Sequence, residues 1–429
     1  MKIIRCSKLK CSILLLLFIY PILNAYAGPI VFTIAAGNGN GTKIGSSIAI
    51  ELQKKFPNIA SQYDHYLAFL LSPSQFKQLV PQVNALISTI DPEYQSEVNA
   101  IAAALQLNNQ DNLGDGKLSL NEVWLLQFLP DLTSINKGSA IAAANSNPVA
   151  ARNVDWKNTP DLTELQAITI FQYDDRTVVT IGFAGLMGVI NGFNDQGLFV
   201  SQLDASTQLV SASVSVGHAG SFDLRSILRQ HRKIAPASQE LSKHTYPRSH
   251  VVLLADPEDV AVLEQPAGVT GKLRKTDSVL VNEMPWYNDE QMAIVNCFVL
   301  KALSANCHAS QDYFRWARFA ELLKDELLPD TAISIMQDRK NKHLAIFNED
   351  TLQSMVFWPK DRTLYLYAQN SDQTTPVVEK YQFFNTSPKD KLVDMALLAL
   401  GIVIFVLAWL YVFRDDIKGK MKRLTKKIT

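Results

Sequence analysis

The sequence predicts an α+β layered domain entered through a mostly helical N-terminal region. Three observations carry this expectation. Residues 28–138 repeat apolar side chains at helical spacing. From Ala140 onward the pattern changes to short apolar runs separated by Gly, Asn and Asp. Further helical stretches fall between those runs. Strands and helices that each have one apolar face bury it by packing in layers.

Taken in order, residues 48–56, 75–90 and 94–105 read as helices. Pro73 and Pro92 stand at helix starts, where a missing N–H removes no intrahelical bond. Pro81 is expected to break or kink the second helix. Residues 167–173 and 177–183 flank the turn Asp174-Asp175-Arg176 and read as a hairpin. Residues 250–255 and 260–264 read as another. Helices are expected over 222–231 and 290–303, and strands over 344–347, 354–358 and 363–367. No internal repeat is evident.

The two ends point to export and tethering. Residues 1–27 have a basic start (Lys2, Arg5, Lys8, Lys10), a short apolar stretch and Ala25-Tyr26-Ala27 before Gly28, which is the pattern of a signal cut between Ala27 and Gly28. Residues 395–413 are uncharged and apolar, about the 20 residues a membrane-spanning helix needs. The basic residues of 414–429 assign that tail to the cytoplasm and the body to the outside, joined by a linker over 386–394. The net charge is zero, but the basic ends leave an acidic body, which argues against a nucleic-acid partner. Cys297 and Cys307 remain after signal removal. Their spacing allows a bridge, and neither sits in a nucleophile motif.

Two segments carry the chemistry. Gly138-Ser139-Ala140 is followed by Arg152-Asn153-Val154-Asp155-Trp156, and a Gly-rich stretch over 182–198 ends in Asn194-Asp195-Gln196-Gly197-Leu198. A serine hydroxyl needs a base to attack an amide. A free α-amine, with a pKa near 8, supplies one within the same residue, provided the Gly138–Ser139 bond is cut. A glycine before the nucleophile permits the bent backbone of an N-to-O acyl shift.

Together these motifs resemble the penicillin acyltransferase and choloylglycine hydrolase branch of the N-terminal nucleophile hydrolases, to which acid-ceramidase-like enzymes are related. The resemblance covers most of the exported body. It includes the Gly-Asn-Gly-x-x-x-Gly segment from Gly39, the 92–102 helix, Leu224-Arg225-Ser226-Ile227-Leu228 and Val281-Asn282. It implies a four-layer αββα sandwich over 139–385, preceded by a pro-region over 28–138 that becomes a separate α chain beside the β chain. It implies Ser139 as nucleophile, where the branch usually has Cys, with Arg152 and Asp155 holding the amine and substrate region. It also implies Asn282 as oxyanion donor, with no cofactor for catalysis. Asp204 stands where some bile-salt-cleaving members have a second asparagine. The activity implied is hydrolysis or acyl transfer at the linear amide bond of a small N-acyl or lipid-like compound. Two other readings are a phospholipase B-like acyl-ester hydrolase and an unprocessed calcium-responsive binding protein.

Residues 111–122 follow an EF-hand-like loop pattern. Asp111, Asp115, Lys117 (through its carbonyl), Ser119 and Glu122 are candidate calcium ligands, and Gly116 sits at the turn. Leu113 occupies a position that wants Asp or Asn. An acidic loop between helices is the competing reading.

Overall fold

A computed structural model describes residues 28–384 apart from 106, 158, 206–216, 304–305, 308 and 370–376. The expected signal, linker, membrane span and basic tail lie outside the described residues. Among the described residues no helix is long and apolar enough to cross a membrane.

Strand β1 (Ile30–Gly37) leads into helices α1 (Gly41–Lys55), α2 (Ile59–Leu70), α3 (Pro73–Ile87), α4 (Pro92–Ala104), α5 (Leu120–Gln127) and α6 (Leu129–Leu132). Then come β2 (Asn136–Ala143), β3 (Val149–Trp156), α7 (Pro160–Glu164), β4 (Gln166–Tyr173), β5 (Thr177–Phe183), β6 (Asn191–Asn194) and β7 (Phe199–Asp204). Helices α8 (Gly220–Gln230) and α9 (Ile234–Leu241) precede β8 (His250–Ala255), β9 (Val260–Gln265), β10 (Lys272–Arg274) and β11 (Gln291–Ile294). Helices α10 (Ser310–Leu322) and α11 (Pro329–Met336) precede β12 (Thr351–Trp358), β13 (Thr363–Ala368) and β14 (Glu379–Gln382).

The strands form two sheets, ordered β1-β4-β5-β6-β7-β8-β9-β10 and β11-β2-β3-β12-β13-β14. They face one another through an aromatic core in which Phe193 and Phe199 lie 4.4 and 5.3 Å from Phe357. On the first sheet's outer side, the Asn194 side chain of β6 donates to the Leu228 and His231 carbonyls at the end of α8. On the second sheet's outer side, Ile141, Ala143, Val149 and Ala151 pack with Trp316 and Phe319 of α10 and Met336 of α11. The layers are therefore helix, sheet, sheet, helix.

Two local expectations fail for physical reasons, and the helix holding Pro81 is not broken there. Residues 290–303 hold strand β11 and a loop in which Cys297 and Cys307 form a disulfide, Cα atoms 5.0 Å apart. The apolar run there is buried on several sides, and periodicity alone does not separate a buried strand from a helix. Residues 344–347 are turn, not strand. Helix α3 runs on through Pro81, which is exposed, as is Lys77, so water can serve the carbonyl that loses its partner.

The N-terminal helices are bonded into the sandwich by buried charge. Gly41 and Gly45 let α1 touch the backbone of α4; an added Cβ would stand 2.0 and 2.2 Å from the Glu93 and Glu97 carbonyl oxygens. On α4, Glu97 forms a fully buried two-pronged ion pair with Arg225 of α8, with one N–O distance of 2.9 Å. Arg225 also donates to the Tyr173 hydroxyl at 3.0 Å and lies over the Phe171 and Tyr94 rings. One turn on, Arg229 grips both oxygens of Glu93 at 2.8 and 2.7 Å. Burial pushes the Glu97 carboxyl up to about 7 against the opposing pull of Arg225. Removing one partner strands a buried charge, so Arg225→Met alone should lower unfolding free energy by roughly 3–5 kcal/mol in denaturant titrations. The double change Glu97→Leu with Arg225→Met should recover most of that loss, because no charge is left unpaired.

Candidate active site at the Gly138–Ser139 bond

Strand β2 pairs with β3 without a break, from Asn136 opposite Trp156 to Ala143 opposite Val149. Ser139 therefore lies within a strand, opposite Asn153, and is fully buried. Its parity is that of Ile141 and Ala143, toward the layer of α10 and α11. Its hydroxyl has no hydrogen-bond partner. In the uncut chain an external substrate has no route to it.

The peptide before Ser139 is unusual. Gly138 has φ +129°, and a Cβ there would stand 1.9 Å from the Asn153 carbonyl oxygen. Only glycine adopts this backbone without strain. The Gly138 N–H donates to Asn296 Oδ1 at 3.1 Å, while Asn296 Nδ2 donates to the Asp204 carbonyl at 2.7 Å. Asn296 follows β11 by two residues, immediately precedes the disulfide at Cys297, and donates its own N–H to Asp312 at 3.2 Å. From β9, Glu264 accepts the Val299 and Leu300 N–H groups at 3.1 and 3.0 Å and fixes the same loop.

Arg152 is fully buried and clasps the chain just ahead of the bond. Its guanidinium donates to Asn136 Oδ1 at 2.9 Å and to the carbonyls of Lys137 (3.0 Å), Gln202 (3.2 Å) and Asn153 (2.6 Å). Burial pushes it down to about 9, opposed by the charges of Asp155 and Asp204. Arg152 and Asp155 do not share a face of β3. Residues three apart on a strand point to opposite faces, so Asp155 turns to the helix layer. There it accepts from Arg315 of α10 at 2.5 Å, Thr351 at 2.7 Å and Asn348 at 3.1 Å. Asp204 accepts the Asn136 N–H at 2.8 Å, and burial pushes its carboxyl up to about 7, with Arg248, Lys137 and Arg152 pulling it down.

The structure thus gathers Ser139, Gly138, Arg152 and Asp204 around one peptide, with Asp155 on the far face of β3. Asn282 lies apart, exposed on a turn. Asn296 and Arg315 are the side chains that sequence reasoning missed. An asparagine ending an apolar run would have pointed to Asn296, had 290–303 read as a strand; Arg315 left no comparable signal. A groove of about 710 Å³ lined by Trp286, Tyr287, Asp289 and Glu290 lies beyond the other end of β2, beside Asn145 and Ser146.

The 111–122 loop does not gather its carboxylates. Asp111 accepts from Asn121 at 2.8 Å, Asp115 accepts from Asn108 at 2.9 Å and from the Lys117 N–H at 3.0 Å, and Glu122 closes a capping box with Ser119. Asp64 of α2 receives the Gly114 and Gly116 N–H groups at 2.7 and 2.5 Å. With Leu113 at a ligand position as well, these residues fit an internally bonded turn better than a calcium cage.

Residues 142–373, more than half of the chain, match the family of acyl-coenzyme A:6-aminopenicillanic acid acyl-transferase, and the chain belongs to that family. The match begins three residues after Ser139 and includes Arg152, Asp155 and Asn296. No curated protein matches the chain. Among solved structures it is similar to a Caenorhabditis elegans N-acylethanolamine-hydrolysing acid amidase ortholog (15% identity, 52% of this chain and 92% of the other, TM-score 0.39). It is also similar to a mutant conjugated bile acid hydrolase from Clostridium perfringens (12%, 57% and 96%, TM-score 0.36). A third is the penicillin V acylase from Agrobacterium tumefaciens (13%, 57% and 86%, TM-score 0.35). The family is one of N-terminal nucleophile acyltransferases and amidohydrolases and needs no cofactor for catalysis.

Two outcomes follow from this geometry. Gly138→Ala should cost several kcal/mol of stability, read by thermal unfolding, since neither the backbone angle nor the Asn153 carbonyl can yield cheaply. The second concerns pH. The folded chain holds the protons of Asp204 and Asp131, both pushed up to about 7 by burial, more tightly than the unfolded chain does. That stability is complete below about pH 4 and is lost as pH rises through about 7. Denaturant midpoints should be higher at about pH 5 than at about pH 8, and Asp204→Asn should narrow the gap.

Proposed function

We propose that the chain cuts itself between Gly138 and Ser139 and that Ser139, as a new N-terminus, then hydrolyses or transfers acyl groups at the amide C–N bond of a small N-acyl compound. The observation that carries this reading is the Gly138–Ser139 peptide itself, held at a glycine-only angle between Arg152 and Asn296.

In the first step Ser139 Oγ attacks the Gly138 carbonyl carbon. The C–N bond breaks, the hydroxyl proton passes to the departing nitrogen, and an ester links Gly138 to Ser139. Water then hydrolyses the ester, leaving Gly138 with a carboxylate and Ser139 with a free hydroxyl and α-amine. In the mature site the neutral amine takes the hydroxyl proton as Oγ attacks substrate. Asn296 Nδ2 spends one hydrogen on the Asp204 carbonyl and offers its second to the oxyanion. Asp204, protonated up to about pH 7, offers an O–H where an asparagine would offer N–H. The acyl-enzyme is discharged to water or to an acceptor amine.

We also assign the body to the outside of a membrane, tethered by residues 395–413. The apolar composition of that segment and the Cys297–Cys307 disulfide support this. One observation favours a second reading, an uncut binding protein. Ser139 replaces the usual cysteine and is sealed in a strand without a partner.

Mass spectrometry of the purified chain separates the two. Wild type should give a fragment starting at Ser139, and Ser139→Ala should stay whole. Ser139→Cys should be cut and retain turnover on a panel of N-acyl amides and acyl esters, since a thiolate is the stronger nucleophile. Asn296→Ala should lower turnover roughly 100-fold or more. Wild type that turns over substrate as a single intact chain would overturn the proposal.

A further inference from the structure

A second cluster of ligand-type side chains lies outside this site. Among the described residues, His218, Asp223 and His244 are the one group of three or more His, Cys, Asp or Glu side chains whose ligand atoms all fall within 4.8 Å of one another. Asp223 is in the first turn of α8; His218 lies just before that helix, and His244 follows α9. Backbone bonding fixes the arrangement: the His218 N–H donates to the Thr245 carbonyl at 2.8 Å, and Gln265 Nε2 donates to the His244 carbonyl at 3.0 Å.

The two imidazole rings stack 3.7 Å apart, tilted by only 13°. Both turn Nδ1 toward the same oxygen, Asp223 Oδ2, at 2.8 Å for His244 and 3.7 Å for His218. The His218 contact is beyond hydrogen-bond reach, so its buried Nδ1 faces the carboxylate as a charge contact without a hydrogen bond. Tetrahedral ligands about 2.0–2.1 Å from a zinc ion stand about 3.3 Å apart, which the two distances bracket. Tyr246 donates to Asp223 Oδ2 at 3.0 Å, the kind of outer hydrogen bond that aims a metal-bound carboxylate. Side-chain exposures of 36%, 17% and 29% leave a way in for an ion and room for a water as fourth ligand.

We propose that His218, Asp223 and His244 form a zinc site, closed by water, separate from the Gly138–Ser139 chemistry and independent of the reading given to it. Two neutral imidazoles and one carboxylate suit zinc among the common divalent ions, and are a poor set for calcium or magnesium. The ion would draw the His218 nitrogen into a bond and fasten the entry to α8 onto the segment after α9.

Calorimetric titration of the metal-stripped full chain with zinc chloride tests this. Wild type should take up one equivalent, with a raised unfolding temperature. His218→Ala and His244→Ala should each weaken binding more than 100-fold, and Tyr246→Phe roughly 10- to 100-fold. Cobalt(II) loaded into wild type should give the intense visible bands of a four-coordinate ion, a readout that needs no variant to fold. Zinc uptake unchanged in the His218→Ala, His244→Ala double variant would overturn the assignment. So would wild type with no uptake, or a six-coordinate cobalt spectrum, and the three side chains would then be a proton-sharing cluster only.

Discussion

The constraint on which the rest of the structure depends is the unbroken register between β2 and β3. It sets Ser139 opposite Asn153 and Lys137 opposite Asp155, and so decides which side chains share a face. Because a strand alternates its faces, the same register sends Arg152 toward the neighbouring sheet and Asp155 toward the helices. Shifted by one residue, Ser139 would exchange faces and Gly138 would no longer meet the Asn153 carbonyl. The flanking strands hold the register in place: β11 pairs from Ala140 to Ala143, and β12 pairs along β3 from Ala150 to Asp155.

Much of this was legible in the sequence where local and tertiary preferences agree. The β4–β5 and β8–β9 hairpins, α1, α4 and α8 follow from apolar spacing and turn residues, and the glycine before Ser139 matches a backbone angle that favours glycine. What stayed hidden depends on distant partners. The run from Met292 to Val295 is apolar, and its strand and the loop that follows are imposed by β2, Glu264 and a disulfide. Arg315 meets Asp155 across 160 residues, a pairing that no local pattern encodes. Val281-Asn282 has the composition of the expected motif, yet its asparagine is on an exposed turn, whereas Asn296 has the contacts.

The N-terminal helices are more than a leader to the sandwich. Their links to it include the Glu97–Arg225 and Glu93–Arg229 pairs, the Tyr63 hydroxyl on the Ala184 carbonyl at 2.6 Å, and Trp156 Nε1 on the Tyr66 hydroxyl at 2.8 Å. Gly41 and Gly45 make the first of these possible by letting α1 and α4 meet backbone to backbone, which sets the reach of both glutamates. Motifs that look unrelated along the chain, a glycine pair, an acidic helix and an Arg-x-x-x-Arg helix, are thus parts of one contact.

That contact has a consequence for how the molecule would come apart and reassemble. While residues 28–138 are joined to the rest by a peptide bond, the glutamates and arginines find each other within one chain, at a fixed effective concentration. Once that bond is cut, the same ion pairs join two chains. The ion pairs themselves are kept, but recovery from unfolding becomes a second-order encounter whose success falls with dilution. Cleavage would then turn a fold that can be re-reached into one sustained mainly by slow separation of its halves.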